Sequence, residues 1–200
     1  MLPEHTQEHT QERAGRTRLA LMTAAREVFA REGFQKAEIA QITRAAGRAT
    51  GTFYLHFDNK LELLKAMVEE FRIDMIASGL DRPEHAADAV RDVLRALWQA
   101  HERHAPTFRA LAEAASTHPE MAALYEGLRD KARHDFQSML RSSLRFAATG
   151  EPRVAVMASA LEILVTSCLY EWHSLARRPP DYTEDAGFAS VLEIMTSVLS

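Results

Sequence analysis

Between Thr50 and Lys60 the chain gathers hydroxyls, an imidazole and an ammonium in one short stretch, Thr50-Gly51-Thr52-Phe53-Tyr54-Leu55-His56-Phe57-Asp58-Asn59-Lys60. Such groups donate and accept hydrogen bonds, which suits phosphate oxygens and base edges better than bond-breaking chemistry. Gly51 leaves the start of a short helix open, so that backbone can approach a phosphate, while Phe53 and Phe57, four apart, point back into a core. Elsewhere no nucleophile motif, phosphate loop or paired carboxylates at diagnostic spacing occurs. The chain is therefore expected not to be an enzyme and to use no cofactor. His101 and His104 lie three apart with His173 elsewhere, but no Cys or carboxylate supports them at ligand spacing, so no metal is expected. The single cysteine, Cys168, cannot form an internal disulfide, which fits a reducing cytoplasm.

The elements that must carry this stretch are helical, and the expected class is all-α with about nine helices. Leu21, Ala25, Val28 and Phe29 give one face of a first helix from roughly Thr17 to Glu32, stopped by Gly33, with Phe34 as the apolar contact that follows. A second helix is expected around Glu38–Ala45, closed by Gly47, and a third over Thr50–Leu55. Asn59-Lys60-Leu61-Glu62 reads as a capping box opening a long helix whose inner face is Leu64, Met67, Val68, Phe71 and Met75, ended by Ser78-Gly79 and Asp81-Arg82-Pro83. Five more helical stretches follow, Glu84–Arg103, Pro106–Ser116, Pro119–Ala147, Pro152–Ala176 and Thr183–Leu199. Their prolines Pro106, Pro119 and Pro152 suit first turns. Ahead of all this, the Glu-His-Thr-Gln repeat at residues 4–11 has no apolar residue and is expected to be disordered.

Charge is uneven along the chain. Net charge is −4, yet residues 13–60 carry nine Lys/Arg against four Asp/Glu, and residues 61–200 carry fifteen against twenty-one. A basic head on an acidic body is the asymmetry of a protein that meets phosphates at one end. Arg13, Arg16 and Arg18 could serve as a basic arm or simply as solubilising charge. The N-terminus shows no apolar secretory core, and the longest apolar run, Val154 to Tyr170, is interrupted by Glu162 and short of a span. It reads as a buried helix, with a cytoplasmic location and no membrane partner.

Ala25, Phe29, Gly33-Phe34, Ile39, Ile42, Ala46-Gly47, Gly51-Thr52-Phe53-Tyr54, His56-Phe57, Lys60 and Leu64 together resemble the TetR family of helix-turn-helix transcriptional regulators. The match covers about residues 16–64. It implies a helix from Thr50 lying in the major groove of double-stranded operator DNA, with Thr50, Gly51, Thr52, Tyr54 and His56 as contacts and Lys60 on a phosphate. Arg44 and Arg48 are further DNA-contact candidates. Arg48 cannot be buried without a partner and so should turn toward a phosphate. Ala37 and Ala49 stand where the family usually places capping residues, so either Thr50 takes over the cap of the third helix or the motif stays looser until DNA binds.

The expected organisation is a disordered arm over 1–15, a DNA-binding head over 16–62, and a ligand-binding and dimerisation domain over 63–200. Val154–Tyr170 is apolar almost all round. One stripe runs through Met157, Leu161, Leu164, Val165, Cys168 and Trp172, the other through Val156, Ala160, Ile163, Ser167 and Tyr170. The resemblance accounts for the surplus by a homodimer through the last two helices. A pocket for a largely apolar or aromatic small-molecule effector is expected from Phe71, Met75, Trp98, Phe108, Tyr125, Met139, Cys168, Tyr170 and Trp172. The implied function is a repressor released by that effector; the alternatives are an effector-independent DNA-binding regulator or an activator.

Overall fold

Leu21, Ala25, Val28 and Phe29 recur at helical spacing and all four are buried, so the first helix is fixed by one apolar face. The computed structural model describes residues 4–77, 87–143, 146 and 148–199, and among these every regular element is helical. They are α1 (Glu4–Glu32), α2 (Ile39–Ala45), α3 (Thr50–Phe53), α4 (Lys60–Ala77), α5 (Ala87–Ala115), α6 (Pro119–Ser142), α7 (Glu151–Leu169) and α8 (Glu184–Leu199), with one π-helical turn at Tyr170–Ser174 after α7.

Of the boundaries that differ from expectation, three bear on the head and the cavity, while α6 ends at Ser142 and α7 at Leu169, both short of their expected ends. α1 begins at Glu4, so the expected disordered arm is helical backbone from that residue on. An established helix adds one hydrogen bond for each residue fixed, and the polar repeat contains neither proline nor glycine to stop it. α5 runs through Pro106, where a break was expected. Pro106 removes one backbone donor, but Trp98, His101, His104, Thr107, Phe108 and Leu111 on both sides are buried, and this packing outweighs the local cost. α3 ends at Phe53, shorter than expected. The expected stop at residues 78–83 lies outside the described residues.

Two cores form. The first joins α1, α2, α3 and the first half of α4 around Phe29, Phe34, Ile42, Phe53, Leu63, Leu64 and Met67. It is completed by Ala110, Leu111 and Ala114 of α5 and Met121 of α6, so the head's core takes in residues well beyond 62. The second joins α5, α6, α7 and α8 around Leu94, Trp98, Phe136, Leu140, Val154, Leu161, Val165 and Met195. Phe71, Ala100 and Phe108 form a small cluster between them.

Glu162, the residue that interrupts the apolar run, is fully buried. Arg129 of α6 grips it with two parallel bonds, Nε at 2.9 Å and Nη2 at 3.1 Å, and Thr166 adds a hydroxyl at 3.2 Å. The carboxylate in turn holds the Arg129 guanidinium above its ordinary range. Removing one partner of such a pair strands a buried charge. Arg129→Ala leaves the fully buried Glu162 carboxylate without its two-bond partner and is expected to lower unfolding free energy by about 3 kcal/mol in urea titration, whereas an unchanged midpoint would show that the pair is dispensable.

Candidate nucleic-acid interface and ligand cavity

The head is built by two left-handed turns and one cap. Gly33 has φ +78° and Gly47 φ +63°, conformations that cost glycine little. The Asn59 side-chain oxygen accepts from the amides of Leu61 (2.8 Å) and Glu62 (3.0 Å), starting α4 as its sequence suggests. At α2, Glu38 takes the capping position, and its amide donates to the Gln41 side chain at 2.9 Å. α3 starts at Ala49 with no side-chain cap; Thr50 Oγ1 instead lies 3.5 Å from the buried Thr43 hydroxyl. That contact ties α3 to α2, and the Arg48 amide donates to the Thr43 carbonyl at 2.8 Å.

Phe53 and Phe57 are buried and hold α3 from beneath, their rings 5.6 Å apart. The outer face then presents Thr50, Gly51 and Tyr54 exposed, with Thr52 and His56 half-buried beside them. Leu55 is 80% exposed, an apolar group in the middle of this polar face that the sequence reading passed over. Arg44 and Arg48 are exposed and make no ion pair among the described residues. Seven of the eight residues expected to touch DNA therefore share one accessible region.

Lys60 is the exception. Its ammonium turns inward, donating to the carbonyls of Phe34 (2.5 Å), Ala37 (2.8 Å) and Gln35 (3.4 Å) and lying 4.5 Å from the Phe34 ring centre. Burial pulls its pKa below the ordinary lysine value, while Glu113 acts in the opposite direction. The expected phosphate contact gives way to an internal one because the turn after α1 leaves carbonyls without helical partners and the ammonium satisfies them. Lys60→Met should lower the melting temperature while leaving the salt slope of DNA binding unchanged. A slope reduced by about one would show that the ammonium leaves the turn for a phosphate.

In the body, a cavity of about 560 Å³ opens among α4, α5, α6 and α7. Of the nine residues expected to line a pocket, Phe71, Met75, Phe108, Tyr125, Met139 and Tyr170 do so. Trp98, Cys168 and Trp172 do not. Trp98 packs 5.8 Å from Trp172 and 5.6 Å from Phe188, and its indole donates to Glu184 at 3.0 Å. Cys168 lies against the second core. Composition marks these residues as apolar and large but does not tell the cavity side of α7 from the α8 side. The sequence reading missed His101, Leu97, Leu128 and Arg72, all on the cavity wall. Leu97, His101 and Phe108 fall on one face of α5 by their spacing, a signal that could have been read.

α4 is held against α5 beside this cavity. Asp74 accepts from His104 Nε2 and from Arg103 Nη1, each at 2.9 Å, and its carboxyl is held below the usual range, mainly by the His104 bond. Phe71 meets Phe108 edge-on at 4.7 Å.

Residues 21–67 match the family described as bacterial regulatory proteins, tetR family. The chain is 25% identical over 175 residues to the transcriptional repressor BepR of Brucella suis, covering 82% of this chain and 83% of that protein. It is 37% identical over 60 residues to the regulator TtgR of Pseudomonas putida, covering 30% of this chain and 29% of the relative. Among solved structures, a TetR-like regulator from Rhodococcus superimposes with a TM-score of 0.71 at 16% identity, covering 100% of this chain and 98% of that one. NalD, described as the secondary repressor of the MexAB-OprM multidrug efflux pump in Pseudomonas aeruginosa, superimposes with a TM-score of 0.62 at 20% identity, covering 94% and 98%. These structural likenesses show a shared fold.

Proposed function

The chain belongs to the TetR family of helix-turn-helix transcriptional regulators, and on that premise we propose that it is a homodimeric repressor released from its operator by a small molecule bound in the body. The observation that carries this reading is the cavity itself, whose wall includes Phe71 and Met75, because both belong to the helix that begins in the head. A small molecule in this space would touch that helix directly. BepR and NalD are both named as repressors, which favours repression here as well.

DNA recognition is assigned to Tyr54, Thr52, Thr50 and His56 on and after α3, with Gly51 allowing close approach and Arg44 and Arg48 on flanking phosphates. Leu55 joins them as an apolar contact. The head spans about residues 16–62 in sequence, and the body supplies ligand binding and assembly. Selection from random DNA by the full chain should enrich a two-fold symmetric site. Tyr54→Ala and His56→Ala should each weaken it at least tenfold with helical content unchanged; equal affinity in both variants would remove α3 from recognition.

Dimerisation is assigned to the outer stripe of α7 with α8. Val156 is 70% exposed, Ile163 50% and Ile194 43%, an apolar run that a single chain leaves open. Leu161 and Leu192 face the chain's own core and are not interface residues. Ile163→Glu should yield a folded monomer by sedimentation, while a monomeric wild-type chain at micromolar concentration would defeat the assignment.

Release works through α4. A ligand that presses on Phe71 and Met75 acts on the same helix that Leu63, Leu64 and Met67 anchor in the head. It must bind the DNA-incompetent arrangement more tightly, by about 1.4 kcal/mol for each tenfold loss of DNA affinity. Ala132 lines the cavity, and Ala132→Trp should abolish induction while preserving DNA binding. Retained induction would place the effector elsewhere.

A further inference from the structure

His101 is 7% exposed, lines the cavity and stacks flat on Phe108, with rings 4.4 Å apart and 4° from parallel. Its Nδ1 lies 2.9 Å from the Leu97 carbonyl. A carbonyl can only accept, so Nδ1 carries the proton and Nε2 carries a lone pair. No residue among those described hydrogen-bonds Nε2, which is not sealed into the core but opens on the cavity. Burial depresses the imidazole pKa to about 4, so the ring is neutral at pH 7 and Nε2 stays an acceptor. The wall around it is apolar, with Phe71, Leu97, Phe108 and Leu128 close by. A polar acceptor in such a wall is costly until a donor meets it.

We propose that His101 selects the effector, accepting a hydrogen bond at Nε2 from the hydroxyl of an uncharged, flat aromatic molecule that lies against Phe71 and Phe108. The charged lining residues support an uncharged ligand. Lys131 is held by Asp135 at 2.6 Å and Arg129 by Glu162, so these charges are already partnered within the protein. An anionic carboxylate has no proton for Nε2. A cationic donor finds no free carboxylate on this wall, because Asp135 is held by Lys131. Tyr125 and Tyr170 supply further hydroxyls on the same wall for a second polar group on the ligand.

The inference rests on the cavity being the effector site, and calorimetry with three matched probes separates the two claims. At pH 7, 2-naphthol should bind the full-length protein about tenfold more tightly than 2-methoxynaphthalene, the worth of one hydrogen bond to a buried acceptor, and more tightly than 2-naphthoate. His101→Phe keeps the flat ring and should bring naphthol and its ether to equal affinity, while His101→Gln, which retains an acceptor, should restore part of the preference. If the wild-type protein binds naphthol and the ether equally, or prefers the carboxylate, the role of His101 is overturned while the cavity keeps its function. If the preference persists in His101→Phe, it is overturned likewise. If none of the probes binds, both readings fall. Should His101→Phe not fold, the wild-type comparison decides alone.

Discussion

The amide of Phe34 donates to Glu113 Oε2 at 2.7 Å, and this bond between the first turn and the end of α5 joins the reading head to the body. The left-handed Gly33 makes it: a side chain there would be strained by φ and would meet the Glu113 carboxylate at 3.0 Å. Around it, Gln35 donates to the Glu113 carbonyl (3.2 Å) and the Thr117 hydroxyl (3.0 Å), and Lys60 binds the carbonyls of the same turn. The head is thus attached twice, through α4 and through this turn. The continuous helix α4 is only one of two paths.

Two attachments change what a ligand can do. With α4 alone, displacement of Phe71 would tilt a lever with a free end. With the turn at Gly33 docked on Glu113, α4 and the corner between α5 and α6 bound one core that contains Leu64, Met67, Leu111 and Met121. Close-packed cores shift between discrete arrangements more readily than they deform continuously. The His104–Asp74 and Arg103–Asp74 bonds add a polar clasp on the far side of Phe71. An effector bound as proposed, against Phe71 and Phe108, would therefore act at the seam where α4 meets α5.

Much of this was legible in the sequence because local chemistry decided it. The spacing of Leu21, Ala25, Val28 and Phe29 located the first core, Gly33 and Gly47 marked the turns, and Asn59 marked the start of α4. Six pocket residues followed from apolar type on helical faces. What escaped depended on partners distant in sequence. Lys60 turns inward because of carbonyls at residues 34–37, Pro106 stays helical because its neighbours pack on both sides, Trp98 leaves the cavity for Phe188 and Glu184 of α8, and Trp172 packs on Trp98 and Tyr182. In the sequence His101 stands out only by its spacing from His104, where no metal is expected. Its stacking on Phe108 and its free nitrogen exist only once α5 is placed against the cavity.

The proposed release is mechanical: filling the body cavity would move the reading heads. Spin labels at Arg44→Cys on the exposed face of α2, in a Cys168→Ser background, report the distance between the two heads of the proposed dimer by pulsed electron resonance. Saturating the cavity with an aromatic ligand that calorimetry shows to bind should shift that distance from its value in the ligand-free protein, and with it the head separation that must match the spacing of about 34–36 Å between successive major grooves. An unchanged distance distribution with the cavity filled would contradict the claim.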